Sequence, residues 1–241
     1  MTDKYNSPLS DGSELQQWIW LWLPIILAVF VWAGFFSLGR PVYERWFESE
    51  LGFIELTTPL ILVFAIVYGL RAFHLRKHLP VWWLGIWILL VTAGSLYFAG
   101  EDLSWGQHLF GWETPEELKA INDQQETNLH NISSWFDQKP RLLLETWIII
   151  GGIFVAGWRR WRGEIFESNN WQYWFWPGFA CFPAALLAEL VKLPERIKTS
   201  FDIASLPTDL RYSELQELMF ATFLLCYLAS NMRRLVLIQS S

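Results

Sequence analysis

WIWLWLPIILAVFVWAGFFSL, residues 18–38, contains no charged side chain. About 20 consecutive apolar residues are needed to cross a bilayer, and this run supplies them. It is too long for the apolar region of a signal peptide. The residues before it lack a basic leader, and no small-residue cleavage site follows, so it is expected to be retained as a membrane helix. Gly39-Arg40-Pro41 ends it, because a proline biases the residue before it away from helix.

The same pattern recurs along the chain. Apolar runs occupy residues 53–70, 81–99, 142–158, 171–191 and 215–231. Pro59 interrupts the second, Pro177 and Pro183 the fifth. Gly151-Gly152 in the fourth allows close helix approach. Ser213-Glu214-Leu215-Gln216 reads as a capping box opening the sixth. The expectation is an all-α bundle of six transmembrane helices, one integral membrane domain over residues 1–241, with a long loop, 101–141, that carries short surface helices.

The composition agrees. Of 241 residues, 53% are hydrophobic and 17% aromatic, with 17 Trp, more than soluble domains usually hold. A net charge of -6 argues against a nucleic-acid partner, which calls for clustered Lys and Arg. Cys181 and Cys226 lie in apolar runs, form no CxxC pair and read as inert core residues.

Lys and Arg set the orientation. Arg71, Arg76 and Lys77, then Arg159, Arg160 and Arg162, then Arg233 and Arg234 fall on one side of a six-span chain, with the N-terminus. That side is assigned to the cytoplasm, which implies a multi-pass inner-membrane protein with both termini inside. Trp18, Trp20, Trp22, Trp82, Trp83, Trp158, Trp161, Trp171, Trp174 and Trp176 then form an aromatic belt at that interface. His74 and His78, among Arg71, Arg76 and Lys77, read as part of a basic patch for lipid headgroups.

Of the 24 Asp and Glu, only Asp3, Asp11, Glu14, Glu164 and Glu167 fall on the basic side. Glu55, Glu101, Glu145, Glu189 and Glu217 sit at the opposite ends of five spans. A charge inside a bilayer costs roughly 2.5–3.5 kcal/mol by insertion scales, so such groups face the bundle interior and take partners. Five of them at similar depth suggest a polar cavity open to the outside. The helix dipole accounts for Glu55, Glu145 and Glu217 at helix starts. It opposes Glu101 and Glu189 at helix ends, although Lys192 lies three residues beyond Glu189 and could pair with it.

The loop between spans three and four, GEDLSWGQHLFGWETPEELKAINDQQETNLHN over 100–131, is unusually rich in ligands. Ser104 and Gln107 have the spacing of a capping box for a short helix holding His108. Thr114-Pro115-Glu116-Glu117 is a stronger start signal, for a surface helix over about 115–126. Glu116 and Glu117 are thereby explained as caps. Glu101, Asp102, Gln107, His108, Glu126, His130 and Asn131 are not. His108, His130 and Glu101 have the ligand types of a catalytic zinc site, and a divalent metal ion is a candidate cofactor. Their spacing is not diagnostic. A purely structural hydrogen-bonded network, or acid–base chemistry by Glu101, Asp102, His108 and His130 without metal, fits the same residues. Glu55, Gln107, Glu126, Asn131, Glu145 and Glu189 are the candidate supporting network.

Glu101-Asp102-x-Ser104-Trp105-Gly106-Gln107, Glu113-Thr114-Pro115 and Gln125-Glu126-Thr127-Asn128-x-His130-Asn131 together resemble the signature of a family of bacterial polytopic membrane proteins. Glu50-x-Gly52-x-x-Glu55-x-x-Thr58 resembles a second block of that family. The resemblance spans roughly residues 45–135 and implies no activity, cofactor or partner. A fainter similarity links the acidic helix end and later Ser and His to alkaline-ceramidase-like membrane hydrolases. Those carry two more His, four apart, on a late helix, and spans five and six contain none.

Three functions follow as expectations. The first is a hydrolase or transferase acting on a lipid or lipid-linked substrate at the outer leaflet. The second is a non-catalytic subunit or assembly factor whose loop docks a membrane-protein partner through Trp105, Trp112 and Trp135. The third is an ion-coupled transporter using the carboxylates.

Overall fold

The structure is a computed structural model. It describes residues 15–49, 52–116, 134–163, 166–206, 208 and 210–240, with the backbone only at 108, 109 and 134–137. The described residues are helical, without strands. The helices are α1 (Trp18–Ser37), α2 (Arg40–Phe47), α3 (Phe53–His74), α4 (Trp83–Asp102), the short α5 (Gln107–Phe110), α6 (134–162), α7 (Trp171–Phe175), α8 (Phe182–Ser200) and α9 (Tyr212–Ser240). Six spans are long and apolar enough to cross a membrane: α1, α3, α4, α6, the α7–α8 pair and α9. The chain is an integral membrane protein built as an all-α six-helix bundle.

Several helices outrun their apolar sequence. α4 continues through Asp102, α8 runs to Ser200, and α9 starts at Tyr212 and ends at Ser240. Hydropathy marks where side chains must leave water, whereas the backbone ladder continues into the polar zone as long as nothing breaks it. α9 is the central post. Its most apolar stretch is 78% buried, against 22% for α6, and it packs chiefly on α3 and α8. Met219, Phe220, Phe223 and Tyr227 lie at the heart of the core.

Close packing comes from small residues. A Cβ on Gly152 of α6 would stand 2.7 Å from the Phe223 ring and 2.8 Å from the Ala185 Cβ, so the expected close approach at Gly151-Gly152 is real. At that point α6 widens into a π-helix over Ile148–Val155. Four buried hydroxyls in the spans satisfy themselves locally: Thr58, Thr92, Ser95 and Thr222 each donate to the carbonyl four residues back.

The fifth span is discontinuous. α7 stops at Phe175, Pro177 follows, and α8 restarts with Pro183 in its first turn. The break frees carbonyls where no water is at hand. α9 supplies the missing donors. The Tyr227 hydroxyl donates toward the carbonyls of Trp174 (2.8 Å) and Phe175 (3.1 Å), and accepts from Trp87 Nε1 (2.8 Å). Arg234, buried and 4.4 Å from the Tyr173 ring centroid, donates to the Tyr173 carbonyl at 2.7 Å.

The belt of tryptophans needs one correction. Trp18, Trp22, Trp82, Trp158, Trp161 and Trp171 are exposed as expected, but Trp174 is wholly buried and donates its N–H to the Ser168 carbonyl. It is a core residue of the broken span. The proposed capping box at Ser213 is also not made. Ser213 lies inside α9, its hydroxyl taken by Lys192, and the Gln216 side chain bonds Arg141 and Glu145 of α6.

Candidate functional site

The end of the bundle away from the Arg-rich loops holds a cavity of about 510 Å³ between α4, α6 and α9. This is within the roughly 300–1,000 Å³ range of small-molecule sites. Its walls are apolar: Val91, Phe98, Leu144, Trp147, Phe220 and Leu224 among them. Leu90 and Leu143 line it and are also 60% and 73% exposed on the outer surface, one on α4 and one on α6. The cavity therefore opens sideways, toward where bilayer lipid lies. Its polar end is formed by Glu101, Asp102, Arg141 and Glu217.

Glu101 and Asp102 close α4, and the turn after them fixes their setting. Ser104, Trp105 and Gly106 all have positive φ, 45°, 53° and 94°. Two of the three are not glycine, and such backbone persists only where the surroundings over-determine it. The turn folds the Trp105 indole back over α4, where a Cβ on Gly100 would lie 2.9 Å from the ring. Its Nε1 donates to Glu101 Oε1 at 2.7 Å. Glu101 is 5% exposed, so the indole holds a buried carboxylate in place. The expected capping box differs in detail: the residue that caps α5 is Gly106, not Ser104, and no side chain caps that end.

Asp102 sits differently. It lines the cavity and has no hydrogen-bond or ion-pair partner among the described residues. Glu217, Glu55, Glu214 and Arg141 lie within electrostatic reach of it. Arg141, from the start of α6, is already engaged. It donates to Glu217 (2.5 Å), to the Gln216 side chain (2.9 Å) and toward the Ser213 carbonyl (3.4 Å).

From Arg141 a polar chain runs across three helices. Gln216 donates to Glu145 at 3.1 Å, Glu145 pairs with Arg196, and Arg196 pairs with Glu189 at 2.6 Å. The sequence suggested Lys192 for Glu189. The structure gives Glu189 to Arg196, seven residues on, while Lys192 takes Glu195 at 2.7 Å and Ser213. Both pairings suit helix geometry, since seven residues are two turns and α8 bears its Arg on the face toward α6. A second chain, Arg40 to Glu48 (3.1 Å), Glu48 to the Arg211 backbone N–H (3.1 Å), and Arg211 to Glu214 (2.6 Å), ties α2 to the start of α9. Here the bond to Glu214 holds the Arg211 guanidinium above its ordinary pKa, and burial, reinforced by Glu48, pushes the Tyr43 phenol up.

Of the residues singled out in the sequence, Glu101 and Asp102 meet at the cavity's polar end, and Glu55 lies within electrostatic reach of Asp102. Glu145 and Glu189 meet at Arg196. Gln107 opens α5 and is partly buried. The backbone of His108 lies in α5, but its side chain is not among the described features. Glu126, His130 and Asn131 lie outside the described residues, as does the stretch beyond Glu116 where the sequence predicts a surface helix. Among the described residues no three His, Cys, Asp or Glu converge as a metal site. Sequence reasoning missed Arg141, Arg196 and Gln216. A basic residue one turn from a carboxylate-bearing span end was the available signal.

Compared with models of known protein families, with curated proteins and with solved structures, the chain matches none.

Proposed function

We propose that the protein takes an amphipathic lipid sideways from the bilayer into the cavity between α4, α6 and α9, and carries out hydrolysis or group transfer at its polar end. One observation carries the reading: a cavity with apolar walls, open at Leu90 and Leu143, that ends in Asp102, which has no partner among the described residues. An alkyl chain fits the walls, and the polar part of the molecule reaches the carboxylates. Asp102 is the general base. It accepts a proton from the attacking hydroxyl and returns it to the leaving oxygen. Arg141, fixed by Glu217 and Gln216, offsets the negative charge that develops. Trp105 keeps Glu101 in register beside it. The cavity-facing end belongs, on the distribution of Lys and Arg, to the periplasmic leaflet.

The test uses Gly94. It lines the cavity, and a Cβ there meets nothing within 4 Å, so Gly94→Phe fills the space without a clash at the backbone. Wild-type protein in lipid nanodiscs made from a total membrane extract should retain and convert a lipid species, read by mass spectrometry. Gly94→Phe should lose the retained species, and Asp102→Asn should abolish its conversion. Equal lipid profiles for wild type and Gly94→Phe would sink the proposal.

A second reading has one specific observation behind it. Phe110 and Trp112 stack at 5.8 Å and 9°, and are 78% and 41% exposed at the same end of the molecule. An exposed aromatic pair suits a partner interface, and supports a docking subunit. Conversion of lipid by the purified chain alone would argue against it.

A further inference from the structure

The headgroup that such a cavity accepts is restricted by the charges at its polar end. We infer that the ligand is a single-chain amphiphile with a cationic, ammonium-type headgroup; this rests on the cavity reading above. The described charged side chains lining the cavity are three carboxylates, Glu101, Asp102 and Glu217, and one guanidinium, Arg141. Arg141 gives N–H bonds to Glu217, Gln216 and the Ser213 carbonyl, and its positive charge is offset by Glu217. Glu101 is held by Trp105 and Glu217 by Arg141.

Asp102 is left as the acceptor that faces the cavity with no protein donor among the described residues. An anionic head would have to be desolvated against this field, whereas an ammonium supplies the donors that Asp102 lacks. The volume, about 510 Å³ with the opening between Leu90 and Leu143, accommodates one alkyl chain.

Three probes of equal chain length separate the possibilities: tetradecylamine, tetradecanol and tetradecyl phosphate. Each is titrated into the full-length protein in a neutral detergent, with the fluorescence of Trp87 and Trp147 at the cavity wall as readout. Wild type should bind the amine roughly ten-fold or more tightly than the phosphate, the discrimination expected of one charge-assisted hydrogen bond. Asp102→Asn should bring the amine down to the alcohol's affinity while leaving the alcohol unchanged. Because loss of a carboxylate can disturb the fold, Glu217→Gln serves as a second variant and should weaken the same preference. The inference is overturned if the phosphate binds as well as the amine, or if the preference survives both variants. Binding of all three probes at one affinity, abolished together by Gly94→Phe, would remove the headgroup assignment and keep the cavity. Binding of none of them, or binding indifferent to Gly94→Phe, would remove the cavity reading itself.

Discussion

Tyr227→Phe isolates the contribution of one hydroxyl to the architecture. The ring stays, so its edge-on contact with Trp147, 4.7 Å between centroids at 85°, is preserved. What disappears is the acceptor for Trp87 Nε1 and the donor toward the carbonyls of Trp174 and Phe175 where the fifth span breaks. A buried group left without a partner costs about 1–3 kcal/mol. Interhelical hydrogen bonds within bilayers average only about 0.6 kcal/mol, because the unfolded chain in the membrane finds other partners. Two considerations favour the larger figure here. Tyr227 is 2% exposed, and the freed carbonyls belong to a helix end that cannot close its own ladder. The expected loss is about 2–3 kcal/mol for the two bonds together. Reversible unfolding in mixed micelles with increasing sodium dodecyl sulfate, followed by circular dichroism, measures it. A cycle with Trp87→Phe should give a coupling of about 0.6–1.5 kcal/mol between the two side chains. A loss below about 0.5 kcal/mol, or zero coupling, would refute the idea that Tyr227 replaces the missing backbone donors of the broken helix.

Other outcomes follow from the same geometry. Gly152→Ala places a methyl 2.8 Å from the fixed Cβ of Ala185 and should cost about 1–3 kcal/mol in the same unfolding assay. Gly94→Ala, on the open cavity wall, should be neutral or stabilise by up to about 1 kcal/mol through helix propensity alone. Trp105→Phe retains the ring over Gly100 but removes the donor to Glu101; stability should fall by about 1–2 kcal/mol, and wild-type-like stability would mean Glu101 is held by something else. Arg196→Met strands two carboxylates, so its destabilisation, about 1 kcal/mol given the partial exposure of the pair, should be partly relieved in the Arg196→Met, Glu145→Gln, Glu189→Gln triple variant.

The spans were legible in the sequence because the bilayer imposes a length on apolar runs. Their true ends were not, since Asp102, Ser200 and Tyr212 lie where charge and helix coexist. The clustering of carboxylates at one end of the bundle was also legible: Glu101 and Asp102 meet at the cavity, and Glu145 and Glu189 meet at Arg196. Their partners were less so. Local spacing favoured Lys192 for Glu189, but the choice is made by which face of α8 looks toward α6, and that is a tertiary fact. Arg141 read as loop because it precedes an apolar run, yet it joins α6 to α9 through Glu217 and Gln216. The Ser104–Gly106 turn was hidden for a different reason. The capping spacing of Ser104 and Gln107 was a sound local signal, but the backbone there turns left-handed three times to lay Trp105 on Gly100.

The sideways opening between Leu90 and Leu143 means that one wall of the cavity is supplied by the solvent, which for this protein is hydrocarbon. The occupant and the surrounding acyl chains then form one continuous apolar phase, and the cavity has no fixed boundary on that side. The thickness and order of the host bilayer set how far α4 and α6 tilt, at a cost of fractions of a kcal/mol per Å of mismatch. Membrane composition thereby becomes a tuning variable for what the protein holds. A detergent tail of matching length will act as a competitor from the moment of extraction.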